Sequence, residues 1–240
     1  MSAAKAQGRA AAAASADAID VLEGLLAARY SCRAFKPEPV PRAVIERIAL
    51  AAQRTASWCN SQPWHVTIIS GAETERFRKV MYDTAASGAE AAPDFPWPRD
   101  YIGVYLARRR ESGFQLYDAV GIAKGDKAAA ARQALENFKF FGAPHVAIVT
   151  TTEPLGVYGA VDCGAYVGNF MLAAQALGIG SIAQAALARR SDVVREYLKL
   201  PDDKRVVCGI SFGYPMHDDV INGYRTSRAP LPEAVTFIGE

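Results

Sequence analysis

Arginine and hydroxyl side chains are concentrated in a short segment on the N-terminal side of the chain. Arg29, Ser31 and Arg33 alternate along the motif R-Y-S-C-R. A guanidinium group presents a planar fork of N–H donors that matches phosphate oxygens. The segment therefore fits a compact anion site, although a solvated basic turn explains the composition equally well. Near the other end of the chain, R-T-S-R over residues 225–228 could complete such a site.

A second segment combines small polar residues with tryptophan. It reads A-S-W-C-N-S-Q-P-W over residues 56–64 and falls between a predicted helix and a predicted strand. Such a loop can present backbone and amide groups to a planar heterocycle. The alternative is a buried connection whose polar side chains satisfy its own backbone.

A third segment, residues 162–173, has no charged residue after Asp162 and carries Gly164 and Gly168 four positions apart. Residues four apart lie on one face of a helix, so this face is nearly bare backbone. Another helix is expected to approach it closely. That helix belongs either to the same chain or to a second subunit.

The motif G-x-S-x-G at residues 209–213 matches the nucleophile elbow of serine hydrolases, with Ser211 as the nucleophile. The elbow requires a strand, a sharp turn and then a helix. Here Tyr214 and Pro215 follow, which cannot open that helix at once. His217 is the only histidine downstream, and no acidic residue lies between it and Ser211. A serine hydrolase is therefore a remote alternative.

Other patterns are not expected to carry chemistry. Gly178-x-Gly180-x-x-Ala183 resembles a dinucleotide-binding fingerprint but follows a predicted helix, whereas the fingerprint must follow a strand. His65 and His145 each begin a predicted strand, where an imidazole is more often packed or hydrogen-bonded than a ligand. No His, Asp or Glu spacing indicates a metal site, so no metal is expected.

The composition excludes several classes of protein. The chain has 240 residues, half of them hydrophobic, and a formal net charge of +2, which is too small to indicate nucleic acid or an anionic membrane surface as a partner. The four cysteines contain no C-x-x-C pair, so we expect free thiols, no zinc and a cytoplasmic location. They are Cys32, Cys59, Cys163 and Cys208.

Two stretches need care before a fold is predicted. Residues 163–188 are uncharged and long enough to span a bilayer, but Gly178 and Gly180 interrupt them, which favours a buried helix followed by a buried turn. Residues 1–16 contain an alanine block that makes a poor signal peptide. We expect them to form a disordered tail, with an organelle-targeting segment as the alternative.

Hydrophobic periodicity predicts several helices. Asp17 is a typical N-cap for the first, and Pro41 suits the first turn of the second. The remaining helical segments begin near Glu73 and Tyr101 and extend over residues 127–140 and 158–177. One side of the first helix carries Ile19, Leu22, Leu25 and Leu26, and the inward face of the second carries Val44, Ile45, Ile48 and Ala52.

Four segments have the composition of strands: residues 65–70, 145–151, 205–212 and 235–238. Because helices outnumber these widely separated strands, we expect an α+β (mixed α/β) fold with helices covering a small sheet. No repeat or linker interrupts residues 17–240, which we expect to form a single domain.

The motifs in this order resemble those of the nitroreductase family of flavoproteins. They are R-Y-S-C-R-x-F, S-W-C-N-S-Q-P-W, F-F-G-A-P-H before a strand, A-x-x-A-L-G-I-G-S, and R-x-P-L near the C-terminus. The resemblance covers about residues 19–235 and is greatest to the branch of nitrobenzoate and nitrobenzene reductases. One departure is Ala56, which stands where the family often has proline.

The resemblance implies an intertwined homodimer with two FMN sites at the subunit interface. It implies that Arg29 and Arg228 bind the phosphate of FMN, with Tyr30 and Ser31 beside them, and that Arg33 lies near N1 and O2 of the flavin. It also implies that Ser57, Trp58 and Asn60 cover the pyrimidine ring. The backbone of Ala183, Gln184 and Ala185 is expected to approach N5.

The implied function is reduction of a small aromatic substrate, nitroaromatic or quinone, by NADPH or NADH in a ping-pong mechanism. FMN carries the redox chemistry, so no catalytic side chain is expected. Alternatives within the family are reductive dehalogenation and azo or enone reduction. A protein that only binds FMN is a further alternative.

Residues 95–117 fall where this family usually places its variable substrate-covering element. The segment supplies flat surfaces at Trp97, Tyr101, Tyr105 and Phe114, with Arg108 among them. Aromatic rings beside cations favour an anionic nitroaromatic such as a nitrobenzoate. The alternative is an amphipathic helix with a solvated basic face.

Overall fold

The computed structural model describes residues 16–239, which contain eight α-helices and four β-strands joined by loops and short 3-10 helices. The helices are α1 (Ala16–Ala28), α2 (Arg42–Ala52), α3 (Ala72–Ala86), α4 (Gly103–Ala119), α5 (Lys127–Leu135), α6 (Gly156–Ala176), α7 (Ala185–Ala188) and α8 (Ser191–Leu198). The predicted tail lies outside the described residues, except that Ala16 already belongs to α1.

The four strands form one antiparallel sheet in the order β1-β2-β4-β3. They are β1 (His65–Ser70), β2 (His145–Thr152), β3 (Gly180–Gln184) and β4 (Lys204–Gly213). β2 is buried along nearly its whole length because it lies between two other strands and under helices on both faces. The predicted α+β fold and the three long strands are confirmed.

The prediction of a strand at residues 235–238 is wrong for this chain's own sheet. These residues have no regular structure, and Phe237 and Ile238 are exposed. Their apolar composition suits a strand, but a strand needs a neighbouring edge to pair with. The fourth strand is instead β3, whose sequence G-S-I-A-Q carries a weak strand signal and becomes a strand by pairing with β4.

Alternate residues of β2 enter two hydrophobic clusters, one on each face of the sheet. Val146 and Ile148 contribute to the cluster under α3, α7 and α8. Ala147 and Val149 contribute to the cluster under α2 and α6. This follows from the two-residue period of a strand. The inward face predicted for α2 is confirmed, since its buried residues are Ile45, Ile48 and Ala52.

All four cysteines are unpaired, as predicted. Among the described helices, none combines the length and the hydrophobicity needed to cross a bilayer. The uncharged stretch over residues 163–188 instead comprises most of α6, the whole of β3 and α7.

An apolar face of α1 and α6 remains uncovered in the single chain. Ile19 and Leu26 of α1 are about half exposed, and Val157 and Tyr158 of α6 are 72% and 60% exposed. Among the described residues, no atom beyond the chain neighbours and the nearby backbone of α6 itself lies within 4 Å of a Cβ placed on Gly164. Within residues 16–239, no helix therefore makes the close contact for which the glycine pair is suited.

Candidate functional site

A cavity of about 390 Å³ lies between the end of α1, the segment after it, α4 and residues 224–228. We call it the arginine cavity because Arg29, Arg33, Arg225 and Arg228 line it. Its other lining residues are Leu26, Ala27, Tyr30, Ser31, Ser112, Tyr224 and Thr226, with no Asp or Glu among them. A concave surface of this charge fits an anion with several acceptor oxygens.

Residues 31–33 reach the arginine cavity because they lie beside the end of the sheet. Ser31 forms a parallel bridge with Ser181 of β3, and the Cys32 N–H donates to the Ser181 carbonyl at 3.1 Å. Side chains alternate along an extended segment. Cys32 is therefore fully buried, while Ser31 and Arg33 line the cavity.

Asn222 joins the C-terminal half of the site to the N-terminal half. Its Oδ1 accepts from the Arg33 N–H at 2.8 Å, and its Nδ2 donates to the carbonyls of Ala34 and Met216, both at 2.9 Å. Asn222 is buried, so these bonds are shielded from water. They place Tyr224 and the following arginines against the segment that ends α1.

The arginines carry like charges at close range. Burial, and then the positive charge of Arg228, lower the pKa of Arg29. In residues 16–239 the Arg29 guanidinium makes no hydrogen bond, so its donors are free for a ligand. Arg225 instead stacks on Tyr30, with its Cζ 3.8 Å from the ring centroid. An anion in the cavity would relieve the repulsion between the guanidinium groups of Arg29 and Arg228.

Arg33 is held by two hydrogen bonds and by two aromatic rings. Its Nη1 donates to the Ser31 carbonyl at 3.2 Å and to the Tyr224 hydroxyl at 2.8 Å. Its Cζ also lies 5.9 Å from the centroid of the Phe141 ring and 5.8 Å from that of Tyr224. Burial lowers the pKa of Arg33, but an arginine side chain remains charged at neutral pH.

The loop that carries Ser57, Trp58 and Asn60 lies on α6 and does not line the arginine cavity of the same chain. The Trp58 N–H donates to Asp162 Oδ2 at 3.1 Å, and the Trp58 ring contacts Tyr158 edge-on at 4.4 Å between centroids. Asn60 adopts a left-handed backbone with φ 53°. Because Trp58 and Asn60 are exposed, the alternative of a buried connection does not hold.

Ala183, Gln184 and Ala185 form the junction between β3 and α7 rather than an open turn. The Gln184 side chain is buried and donates to the Asn137 carbonyl at 2.9 Å. Ala183 and Ala185 are exposed on either side of it. Ser31 pairs in parallel with Ser181 of the same strand, so the junction follows that bridge along β3.

Ser211 cannot act as an exposed nucleophile. It lies inside β4, is fully buried, and its hydroxyl donates to Gln184 Oε1. No strand-turn-helix elbow exists at this position because β4 continues to Gly213. The structure therefore excludes the serine hydrolase alternative.

The predicted substrate residues lie in and before α4. Trp97, Tyr101, Tyr105 and Phe114 are all substantially exposed, and α4 has no buried residue in the described part of the chain. Arg108 forms a 2.6 Å ion pair with Glu233, so its charge already has a partner within this chain. α4 lines the arginine cavity through Ser112.

The cofactor residues predicted from the sequence do not include Ser112, Asn222, Tyr224 and Arg225, all of which build or line the cavity. For Arg225 the signal was present, since it begins R-T-S-R. The dipeptide Asn222-Gly223 is typical of a turn and could have indicated that the chain reverses just before this segment. Nothing local distinguishes Ser112 from other polar helix residues.

Comparison with known proteins places these features in one family. The sequence model of the Nitroreductase family matches residues 26–214. The chain is 35% identical over 222 residues to nitroreductase NfnB of Mycolicibacterium smegmatis, covering 92% of this chain and 94% of that protein. It is 31% identical to the 4-nitrobenzoate reductase of Pseudomonas putida, covering 92% and 96%.

A solved structure agrees with the sequence comparison. The crystal structure of the FMN-dependent nitroreductase NfnB from Mycobacterium smegmatis in complex with NADPH superposes with a TM-score of 0.88 at 34% identity, covering 92% of this chain and 99% of that one. The matched region contains residues 29–33, residues 56–64, which we call the tryptophan loop, and the whole sheet. The resemblance predicted from the motifs is confirmed, and the chain belongs to the nitroreductase family.

Proposed function

We propose that this chain is an FMN-dependent oxidoreductase that uses NADPH or NADH to reduce a small nitroaromatic substrate, with quinones as a second class. The assignment to an FMN-dependent, NAD(P)H-using enzyme is confirmed at the level of the family. The observation that carries the proposal in this chain is the arginine cavity, which has four guanidinium groups and no carboxylate.

The residues of the cavity fit the phosphate end of FMN. A phosphate monoester carries close to two negative charges at neutral pH, whereas burial, and then the positive charge of Arg228, lower the pKa of Arg29. Arg29 and Arg228 would bind the phosphate, with the Ser31 and Thr226 hydroxyls beside them. When bound, FMN supplies two-electron transfer between the nicotinamide and the substrate.

The remaining residues of the chain bind and orient. Arg33 provides a fixed cation at the wall of the cavity, where low solvent exposure strengthens its electrostatic influence. Ala183 and Ala185 flank the buried Gln184 side chain, so backbone at the end of β3 is accessible to a ligand. Within the described residues we see no nucleophile and base at hydrogen-bond distance in this cavity, and the proposed chemistry requires none.

A second copy of the chain would complete the site. The tryptophan loop lies on α6, outside its own arginine cavity, next to the exposed apolar face of that helix. We propose that this face pairs with its equivalent in a homodimer and that Ser57, Trp58 and Asn60 thereby reach the partner's cofactor. β1 is an edge strand with a groove of about 710 Å³ along it, which is available to the partner's residues 235–238.

The exposed rings of the α4 region suit a flat aromatic substrate, and the cations near them suit one with a negative charge. Arg109 lies 5.0 Å from the Tyr101 ring centroid, and Arg109, Arg110, Phe114 and Tyr117 line a shallow depression of about 250 Å³. We propose a nitrobenzoate-like substrate, reduced from nitro to nitroso and then to hydroxylamine. Each step takes two electrons and two protons, and the first releases water. Ping-pong kinetics follow if the nicotinamide and the substrate occupy the same face of the flavin in turn.

The test measures kcat/KM for 4-nitrobenzoate and for uncharged nitrobenzene with each nicotinamide, at low and at high salt. We expect a yellow protein, oxidation of NADPH or NADH, and a preference for 4-nitrobenzoate that weakens as salt screens the arginines. A colourless protein that does not bind FMN would contradict the assignment as a whole. A preference for nitrobenzene that is independent of salt would contradict only the recognition of the carboxylate.

A further inference from the structure

The motif F-F-G-A-P-H, residues 140–145, forms an unusual turn beside the arginine cavity. Phe140, Phe141 and Gly142 are consecutive residues with positive φ, at 56°, 52° and 76°. For a phenylalanine this left-handed backbone is unfavourable, and it persists only where the surrounding structure requires it. Both rings are buried, at 0% and 8% exposure.

The two rings of this turn contact different arginines. The Phe141 ring faces Arg33, which lines the arginine cavity, at 5.9 Å. The Phe140 ring faces Arg78 at 5.7 Å, and Arg78 pairs with Glu75 outside that cavity. The turn therefore offers two arginine–ring contacts at similar distances, of which only the one at Phe141 adjoins the proposed cofactor.

Tyr224 holds Arg33 from the other direction. Its hydroxyl accepts from Arg33 Nη1 at 2.8 Å, and its ring centroid lies 5.8 Å from the guanidinium carbon. The Ser31 carbonyl accepts from the same nitrogen at 3.2 Å. Two aromatic rings and two acceptors thus restrict where the charge of Arg33 can lie, and each attraction is stronger in a site with little water.

We infer that Phe141 and Tyr224 are positioning residues that hold the Arg33 cation at the cofactor and thereby set the preference of the site for reduced over oxidised FMN. This rests on the proposed function. Reduced FMN carries more negative charge than oxidised FMN, so a fixed cation favours it. If the Arg33 guanidinium moves away from the cofactor or into water, it favours reduced FMN less.

The experiment compares Phe141→Leu and Tyr224→Phe with Phe140→Leu as the matched control and Arg33→Gln as the reference. For each protein, the dissociation constant of oxidised FMN and the midpoint potential of bound FMN are measured. We expect Phe141→Leu and Tyr224→Phe to lower the preference for reduced FMN about three- to tenfold. A tenfold change corresponds to about 30 mV in a two-electron couple. Phe140→Leu should lower Tm but leave the potential unchanged.

Double variants separate positioning from a general loss of packing. If the two residues act through Arg33, then adding Phe141→Leu or Tyr224→Phe to Arg33→Gln should not shift the potential further. An equal shift in the presence and absence of Arg33 would overturn the inference, as would a shift of the same size in Phe140→Leu. If Arg33→Gln shifts the midpoint potential, but Phe141→Leu and Tyr224→Phe do not, only the inference fails. If the unmodified protein binds no FMN, the proposed function fails.

Discussion

At the residue scale, Arg29 is the arginine of the cavity whose donors are free. Arg29→Ala removes a charge-assisted contact to phosphate, which contributes roughly 1.5–3 kcal/mol. We expect FMN to bind about tenfold to a hundredfold more weakly. Riboflavin, which has no phosphate, should bind about equally to the variant and the parent. Lys79→Ala is the control because Lys79 is exposed, pairs with Asp83 and lines neither the arginine cavity nor the groove along β1. Equal losses for FMN and riboflavin would contradict a phosphate role.

Also at the residue scale, His145 connects β2 to the segment before α2. Its Nε2 accepts from the Val40 N–H at 2.8 Å, so the proton of the neutral ring lies on Nδ1, 2.7 Å from Ser70 Oγ. Burial lowers the pKa of His145. A protonated ring could not accept from Val40, so the unfolded state binds more protons in acid. The contribution of His145 to the free energy of unfolding is complete above the usual histidine pKa of about 6.5. It declines as the pH falls from there toward the lowered pKa of the folded state.

This linkage gives a pH prediction. We expect the free energy of unfolding of the FMN-saturated protein to fall between pH 7.5 and 5.5, with this histidine contributing at most about 1.4 kcal/mol per pH unit. His145→Gln should be less stable at pH 7.5 and should show a smaller dependence on pH. His65→Gln, at an exposed strand start, is the control. An unchanged pH dependence in His145→Gln would show that another group is responsible.

At the element scale, α6 has one buried face and one that the single chain leaves uncovered. A Cβ at Gly168 meets no described atom within 4 Å beyond its chain neighbours and the nearby backbone of its own helix, so Gly168→Leu should not disturb the fold of the protomer. We expect it to separate the subunits and to release FMN, because the tryptophan loop on the same helix would no longer reach the partner. Sedimentation and flavin absorbance measure the two effects. Ala131→Leu, at an exposed position of α5, should change neither. A monomer that retains FMN would contradict the shared site.

At the scale of the whole molecule, residues 235–238 are the segment proposed to reach the partner, and a deletion of residues 232–240 removes it. This deletion should raise the dimer dissociation constant, because the edge of β1 would lose its proposed strand. The deletion also removes Glu233, which pairs with Arg108. Glu233→Ala therefore serves as the control and should leave the dimer intact. Assembly that is unaffected by the deletion, measured by concentration-dependent sedimentation, would argue against the exchange.

The sequence alone determined those features of the fold and of the site for which the signal lies in a few neighbouring residues. The bounds of β1 were predicted without error, and β2 and β4 to within one residue at each end. Their apolar, β-branched composition is sufficient because strand propensity reflects a half-buried surface. From their residue types, the R-Y-S-C-R and R-T-S-R segments were also predicted as a candidate anion site, and Arg29, Ser31, Arg33 and Arg228 of these segments line one cavity.

Only the tertiary structure decided which distant residues meet. β3 is a strand because β4 and Ser31 border it, whereas residues 235–238 have no such neighbour within residues 16–239. Tyr224 meets Arg33 across 191 positions, and Glu233 neutralises Arg108 across 125. The reason is that propensity and periodicity act over one or two turns of chain, whereas hydrogen bonds and ion pairs depend on proximity in space, which the packing of the helices on the sheet creates.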